Sequence, residues 1–145
     1  MINIDSLQLI LLNIGLASHH ADWNYKNVKS PFARIYLVKE GTAKLHMSND
    51  RVQELKPNFL YMVPPFTLHS YECNSFFALY YIHIYEYQVS DFSILEDLMY
   101  PVEINASKID KLLVERLFNI NPDISLTHYD PLVYDDTQHL ISSIN

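Results

Sequence analysis

The sequence predicts a mainly β protein, a sandwich or barrel of short strands followed by C-terminal α-helices. Over the first two-thirds of the chain, aromatic and β-branched segments alternate with turn signals at the spacing of an all-β sandwich or barrel. After about residue 90, apolar residues recur at helical spacing instead. The 145 residues, 49% of them hydrophobic, suit one domain with a substantial core.

The predicted strands are separated by recognisable turns. Gly41 suits a turn or bulge after the second strand, residues 48–50 (SND) signal a hairpin, and Pro64-Pro65 end the fifth strand because proline cannot donate to a sheet. On this basis strands are predicted at residues 6–17, 32–39, 43–47, 51–55, 59–63 and 78–87.

A helix is predicted to begin after Ser107, which forms a plausible capping pair with Asp110. Asn121-Pro122 ends this helix. Its apolar residues fall at i, i+3, i+4 and i+8, which makes one stripe: Ile109, Leu112, Leu113 and Leu117.

A second helix is predicted to begin near Asp135. Its apolar residues would be Leu140, Ile141 and Ile144. The pattern is still helical at Asn145, where the chain stops, so we expect this chain to be the front part of a longer protein.

Composition excludes several functions. The net charge is −7 and the 10 Lys and Arg residues are scattered, which argues against direct binding to a nucleic-acid backbone. Two glycines cannot form a phosphate-binding loop, and no Gly-x-Ser-x-Gly elbow is present, so we do not expect an enzyme. The single cysteine indicates a cytoplasmic protein, and no apolar run is long enough to span a membrane.

The order of strands and turns resembles the cupin barrel, a double-stranded β-helix or jelly roll. The resemblance rests on Glu40-Gly41, on Pro57-Asn58 and on Pro64-Pro65 followed by His69. In metal-binding cupins this pattern carries a His-x-His…Glu…Gly motif and a later Gly…Pro-x-Gly-x-x-His motif.

Most of the cupin metal ligands are missing from this chain. By the family spacing, Arg34 stands where the metal-binding Glu would be, and roughly Asn27 and Lys29 stand where the two histidines would be. Only His69 remains, and one imidazole does not make a transition-metal site. Phe66 and Asn58 replace the motif glycines, and we expect no metal or other cofactor.

A closer resemblance, along nearly the whole chain, is to the N-terminal regulatory domain of AraC-type transcription regulators. It is carried by Trp23-Asn24, PFARIYLVKEG (31–41), LKPNFLYMVPPFTLHSY (55–71) and YYIHIYE (80–86). The resemblance implies an effector-binding barrel with an N-terminal arm over 1–104 and a helical dimerisation or linker segment over 105–145. It also implies that DNA is bound only through a C-terminal domain absent from this chain.

The resemblance also indicates which side chains face the barrel interior. Arg34 and His69 take positions that hold metal ligands in other cupins, and strand alternation adds Tyr36 and Tyr71 to their faces. Resemblance to sugar-binding members places Leu79 and Tyr81 inward, and alternation adds His83. The predicted ligand-binding residues are therefore Trp23, Arg34, Tyr36, His69, Tyr71, Tyr81 and His83, and the expected effector is a small polar molecule of carbohydrate type.

Structural roles for the same residues stay open. Arg34 could pair with Glu40 or Glu72, and His69 could be a core histidine bonded to a backbone carbonyl. Trp23 could stack on a sugar or simply close the barrel. His83 and the tyrosines of its strand could belong to the core on one face and to helix packing on the other.

Two alternatives to a ligand sensor also remain. One is a metal-dependent cupin enzyme of the sugar isomerase or dioxygenase type. The other is a ligand-free dimerisation scaffold whose barrel is filled by Tyr36, Tyr71 and Tyr81. The stripe over 109–117 could dock on the barrel or on a second subunit, and the family resemblance favours a homodimer.

Overall fold

The computed structural model describes residues 7–87, 93–95 and 102–135, and the predicted mainly β fold with helices after the strands is confirmed. No helix in this part of the chain is long and apolar enough to cross a membrane. The elements are β1 (Gln8–His20), β2 (Ala33–Gly41), β3 (Ala43–Met47), β4 (Val52–Leu55), β5 (Phe59–Val63), β6 (His69–Glu72), β7 (Phe76–Tyr87), β8 (Val102–Asn105), α1 (Lys108–Asn119) and α2 (Pro131–Tyr134).

Two antiparallel sheets enclose the main core. The larger has the order β1-β7-β2-β5-β8 and the smaller the order β4-β3-β6. Large buried side chains from both sheets meet between them, among them Tyr36, Tyr61 and Leu79 from the larger sheet and Leu45, Leu55 and Tyr71 from the smaller. This interior holds the side chains considered below as a candidate site.

Strand β7 contributes to both sides of the larger sheet. Phe77 and Tyr81 belong to the core between the sheets, whereas Tyr80 and Ile82 belong to a second cluster that includes Val114 of α1. Successive side chains of a strand point to opposite faces. Helix α1 therefore covers the outer face of the sheet.

Strands β1 and β7 are longer than predicted, because they pair with each other along their whole length. His19 lies opposite Phe77 and His20 opposite Phe76, beyond the predicted ends of both strands. Backbone pairing continues across these residues whatever their side chains. Residues 8–20, predicted to include an N-terminal arm, thus form an edge strand of the larger sheet, and residues 1–6 lie outside the described part.

Six described residues have left-handed backbone conformations, and three of them bear on the resemblance to cupins: Gly41, Asn58 and Phe66. Gly41 has φ +78°, and a Cβ there would collide with the carbonyl oxygen of Phe76. Asn58 (φ 74°) and Phe66 (φ 57°) occupy the two positions where the cupin pattern has glycine. The glycines have been replaced, yet the backbone shape that favours glycine is retained.

The predicted start of α1 is confirmed. The Ser107 side chain accepts a hydrogen bond from the Asp110 backbone N–H, and the Asp110 carboxylate accepts one from the Ser107 backbone N–H. This reciprocal capping satisfies two donors that a helix start would otherwise leave unpaired.

The structure divides the predicted apolar stripe of α1. Leu117 packs against the outer cluster of the larger sheet, together with Val114. The other members of the stripe are mostly in solvent, with Ile109 68%, Leu112 53% and Leu113 62% exposed. The helix thus presents a second apolar face that the barrel leaves uncovered.

A short helix that the sequence did not predict precedes Asp135: α2 is a single turn, begun by the Asp130 side chain. The predicted second helix, which would begin near Asp135 and carry Leu140, Ile141 and Ile144, lies outside the described residues. The stretch before α2 runs back along the barrel, where the Ile124 carbonyl accepts from the Ile14 N–H. The division at residue 104 stays a prediction.

Candidate ligand-binding site

Arg34 lies at the centre of the candidate site. It is on β2, is 2% exposed, and points into the space between the sheets. Its Nη2 donates to Ser30 Oγ at 2.6 Å and lies 3.1 Å from both carboxylate oxygens of Asp135. Its Nη1 donates to the Tyr134 hydroxyl at 2.8 Å. The guanidinium also lies over the ring of Phe32, 5.1 Å from its centroid.

The ion-pair partner of Arg34 is therefore Asp135, and the expected pairing with Glu40 or Glu72 is wrong. Glu72 instead contacts His46 at 2.8 Å near the surface. A buried guanidinium needs an anion because desolvating an unpaired charge is costly. Burial raises the pKa of the Asp135 carboxyl, and the charge of Arg34 opposes that rise.

A chain of hydroxyl and imidazole groups leads from Arg34 to His69. The Tyr36 and Tyr71 hydroxyl oxygens are 2.5 Å apart, and the Tyr71 hydroxyl lies 2.7 Å from His69 Nε2. His69 Nδ1 is 2.7 Å from the Thr67 carbonyl oxygen, which can only accept. Nδ1 therefore carries the proton, Tyr71 donates to Nε2, and Tyr36 donates to Tyr71.

His69 is neutral in this chain. Burial and the nearby charge of Arg34 lower the pKa of His69 to about 3. The sequence left two arrangements open for His69, a bond to a backbone carbonyl or an inward-facing ring, and the structure combines them. One ring nitrogen is hydrogen-bonded to the Thr67 carbonyl, and the other faces the interior.

His83 also contacts the guanidinium of Arg34. Its Nε2 is 3.4 Å from Arg34 Nη1 and accepts from it, so Nδ1 donates to Asn13 Oδ1 at 3.2 Å. Its ring stacks on Tyr134, with centroids 5.4 Å apart. Burial, followed by the charge of Arg34, lowers the pKa of His83 well below its usual value.

Trp23 and Tyr81 complete the predicted set. The Trp23 ring stacks on Tyr71 with centroids 4.1 Å apart, and Phe77 stacks on it at 5.4 Å. Trp23 thus belongs to the aromatic part of the core between the sheets. The Tyr81 hydroxyl accepts from the Leu126 N–H at 2.7 Å, so it ties the segment before α2 to the interior.

The structure therefore brings all seven predicted residues into one connected region, but little empty space remains there. The cavity at the centre has a volume of about 20 Å³, room for about one water molecule. Its walls include Leu126, Tyr129 and Tyr134. These residues lie on the stretch that runs back along the barrel, residues 124–135, which we call the returning segment.

A larger groove lies outside the barrel, next to Asp135. It has a volume of about 360 Å³ and runs between residues 24–29 on one side and Asp130–Asp135 on the other. Lys26 and Lys29 line it, as does Asp135 itself. Asp135 both lines the groove and makes polar contacts with Arg34, so it separates the groove from the guanidinium.

Sequence reasoning missed Ser30, Tyr134 and Asp135. A buried arginine signals that an acid must be near, but seventeen acidic residues are available and this one is 101 positions away. Nothing in the local pattern of residues 130–135 distinguishes the acid that reaches Arg34.

The site does not resemble a metal centre. Across the described ranges, no three His, Cys, Asp or Glu side chains converge in a way that could hold a metal ion. His69 and His83 contact tyrosine, asparagine, arginine and a carbonyl instead.

Comparison with known proteins fits this arrangement. Residues 13–98 match the family model described as the AraC-like ligand binding domain. The chain belongs to this family. The search of curated proteins found no match.

Solved structures match this AraC-like domain at low identity. ToxT from Vibrio cholerae O395, bound to (E)-4-(8-methylnaphthalen-1-yl)but-3-enoic acid, matches with a TM-score of 0.51 and 18% identity, over 96% of this chain and 56% of ToxT. A cupin superfamily protein from Desulfitobacterium hafniense DCB-2 has a TM-score of 0.46 and 19% identity, over 59% of this chain and 83% of that one. DMSP lyase DddQ from Ruegeria pomeroyi DSS-3 has a TM-score of 0.43 and 14% identity, over 70% of this chain and 54% of that one.

Proposed function

We propose that this chain is the ligand-sensing and dimerisation module of a cytoplasmic AraC-type transcription regulator, and that a small polar effector, a sugar or sugar-like molecule, binds inside the barrel. The observation that carries the proposal is the buried Arg34 with its ring of hydroxyl, imidazole and carboxylate groups. Convergent polar groups in an apolar frame are typical of sites for small polar ligands. Family membership supports a regulator rather than an enzyme.

The proposed mechanism is a shift between two populated states. The 20 Å³ cavity holds no effector-sized molecule, so a bound effector has to replace protein groups. The replaceable wall is the returning segment with Tyr129 and Tyr134. Effector binding would thus move the chain that follows the barrel, and the DNA-binding units we expect beyond this chain would respond.

A thermal-shift and calorimetry screen of monosaccharides, disaccharides and uronic acids tests this function. We expect a compound that raises the melting temperature of the wild type and of Arg51→Gln, an exposed arginine control, but not of Arg34→Gln. If Arg34→Gln does not fold, Tyr134→Phe, which removes one hydroxyl beside Arg34, is compared with Tyr87→Phe at the surface. The absence of any compound with this dependence would refute the function.

The small cavity favours a second candidate, a ligand-free dimerisation scaffold. Tyr36 and Tyr71 are in direct hydrogen-bond contact, and Tyr81 lines the same cavity, as this alternative requires. The same screen decides between the two. A scaffold gives no saturable binding at Arg34, whereas a sensor does.

We propose the exposed face of α1 as the dimer contact. Ile109, Leu112, Leu113 and Ile120 are each more than half exposed on a helix whose other face is already covered by the barrel. Sedimentation equilibrium is expected to show a dimer in the wild type and a monomer in Leu112→Glu/Leu113→Glu. Leu132→Glu, at a leucine that is 92% exposed on α2, should remain a dimer. A double variant that still dimerises would exclude this face.

A further inference from the structure

We propose that Arg34 is a carboxylate-binding site, that the Asp135 side chain is its built-in occupant, and that a carboxylate effector entering from the outer groove exchanges with Asp135. The inference rests on the proposed function, because it names the effector class and the protein group that the effector replaces.

The arrangement around Arg34 is already that of a bound carboxylate. Asp135 offers both oxygens to Nη2 at 3.1 Å, and the Ser30 hydroxyl donates to its Oδ2 at 2.6 Å. Ser30 in turn accepts from Nη2 and Nε of Arg34, so its hydroxyl is held in place for an anion.

This internal pairing leaves part of the guanidinium to another group. Asp135 engages one nitrogen with both oxygens, while Nη1 donates to the Tyr134 hydroxyl. A free carboxylate that displaces Tyr134 together with Asp135 can take Nη1 and Nη2 side by side, the two-bond geometry in which arginine binds carboxylates most strongly. The incoming ligand thus has a contact available that the occupant does not make.

The occupant sits on a short element. The backbone hydrogen bonds of α2 close within it, from Val133 N–H to the Asp130 carbonyl and from Asp135 N–H to the Pro131 carbonyl. Leu132 and Val133 point to solvent. The Tyr134 and Asp135 side chains make polar contacts with the barrel, and Pro131 is the buried residue of α2. Freeing the turn therefore requires the release of these three side chains and does not open a sheet.

The groove provides a route to the exchange point. At about 360 Å³ it lies within the size range of small-molecule sites, and Asp135 forms part of its wall. Lys26 and Lys29 on the opposite wall offset the charges of Asp130 and Asp135, so an anion has cations to contact there. Behind Asp135 lies Arg34, so a carboxylate in the groove is separated from the guanidinium by the group with which it would exchange.

Charge balance selects the ligand class. If a neutral sugar displaced Asp135, the buried guanidinium of Arg34 would lose its anion, and an unpaired buried charge is strongly disfavoured. A ligand that brings its own carboxylate restores the pair. A uronic acid or another small organic acid fits this requirement, and a neutral sugar does not.

Acetate is the probe for the site. In Asp135→Ala we expect sodium acetate at pH 7.5 to raise the melting temperature in a saturable way, beyond the effect of sodium chloride at equal ionic strength. In the wild type the acetate midpoint should lie at least tenfold higher, because Asp135 competes from within the chain. Asp123→Ala, which removes an exposed acid outside the groove and outside α2, should behave like the wild type, and Arg34→Gln/Asp135→Ala should not respond.

The inference is overturned if acetate acts no better than chloride on Asp135→Ala, or equally on Asp123→Ala. If Asp135→Ala is unfolded in chloride, recovery of its circular dichroism in acetate is the measurement. Should it stay unfolded in both salts, Asp135→Asn is titrated in its place, with the same expected and contradicting results.

The two proposals fail in distinguishable ways. A neutral effector that binds the wild type through Arg34, with no acetate response in Asp135→Ala, would overturn the carboxylate exchange and leave the sensor function standing. An acetate response in Asp135→Ala without any effector in the screen would support the exchange site and count against the sensor function. Hydrogen exchange at the Val133 and Asp135 amides should accelerate when a carboxylate saturates the wild type, and unchanged exchange would exclude release of α2.

Discussion

Mild acid should destabilise this domain through its buried histidines, and His69 is the clearest case. Its pKa is about 3 in the folded chain, because burial and Arg34 disfavour the charged ring, against about 6.5 for an ordinary histidine. Between these two pH values the unfolded chain binds a proton that the folded chain does not. Stability is therefore complete above about pH 6.5 and falls as the pH drops toward 3.

The magnitude follows from the distance to the ordinary pKa. At pH 5, one and a half pH units below 6.5, a histidine kept neutral by folding costs about 2 kcal/mol. That is a substantial part of the roughly 5–15 kcal/mol typical of a domain. Burial and Arg34 also lower the pKa of His83, which therefore adds to the loss in the same direction. The raised pKa of Asp135 acts in the opposite sense as the pH falls.

Urea unfolding of the wild type at pH 7.5, 6 and 5 measures this loss. His69→Gln, whose amide can still donate to the Thr67 carbonyl and accept from Tyr71, should lose about 2 kcal/mol less than the wild type over the same range. His128→Gln, at an exposed position, should follow the wild type. A His69→Gln variant as acid-sensitive as the wild type, or a wild type equally stable at pH 5 and 7.5, would refute the reasoning.

Three substitutions test the backbone and the packing by urea unfolding. Gly41→Ala should cost about 2 kcal/mol or more, because the backbone at Gly41 is left-handed and a Cβ there would meet the Phe76 carbonyl oxygen. A loss below about 0.5 kcal/mol, which is the size of a surface effect, would contradict this. Phe66→Gly should stabilise the fold by about 0.5–1 kcal/mol. Glycine removes the backbone strain of a left-handed phenylalanine, and this gain exceeds the extra conformational entropy that glycine loses on folding. Any destabilisation would show that Phe66 is not strained. Val114→Ala should cost about 1.5 kcal/mol at the barrel face of α1. Leu113→Ala, measured at a protein concentration at which the chain is monomeric, should stay within about 0.5 kcal/mol, and equal losses would mean that the faces are assigned wrongly.

Strand alternation extended what the family resemblance indicated. The resemblance placed Arg34 and Tyr81 inward, and the two-residue period added Tyr36 and His83 to their faces, because β2 and β7 are regular where these residues lie. The fold class followed from the same periodicity and from the turns between strands.

Two features could not be read from the sequence, for different reasons. The buried and exposed faces of α1 are both apolar, so periodicity detects a stripe at Ile109, Leu112 and Leu113 without showing that Val114 is the buried residue. The pairing of Arg34 with Asp135 depends on the path of the returning segment over the barrel, which is a tertiary property.

The pairing of β1 with β7 also governs when the Arg34 region forms during folding. Gln8 lies opposite Tyr87 and His20 opposite Phe76, so the chain must close a long loop before this pair exists. Folding dominated by such distant pairings takes roughly milliseconds to seconds. Arg34 gains Asp135 only when residues 101 positions apart have met, and we expect this contact to form late for the same reason. A molecule bound there should therefore slow unfolding while leaving the rate of folding nearly unchanged.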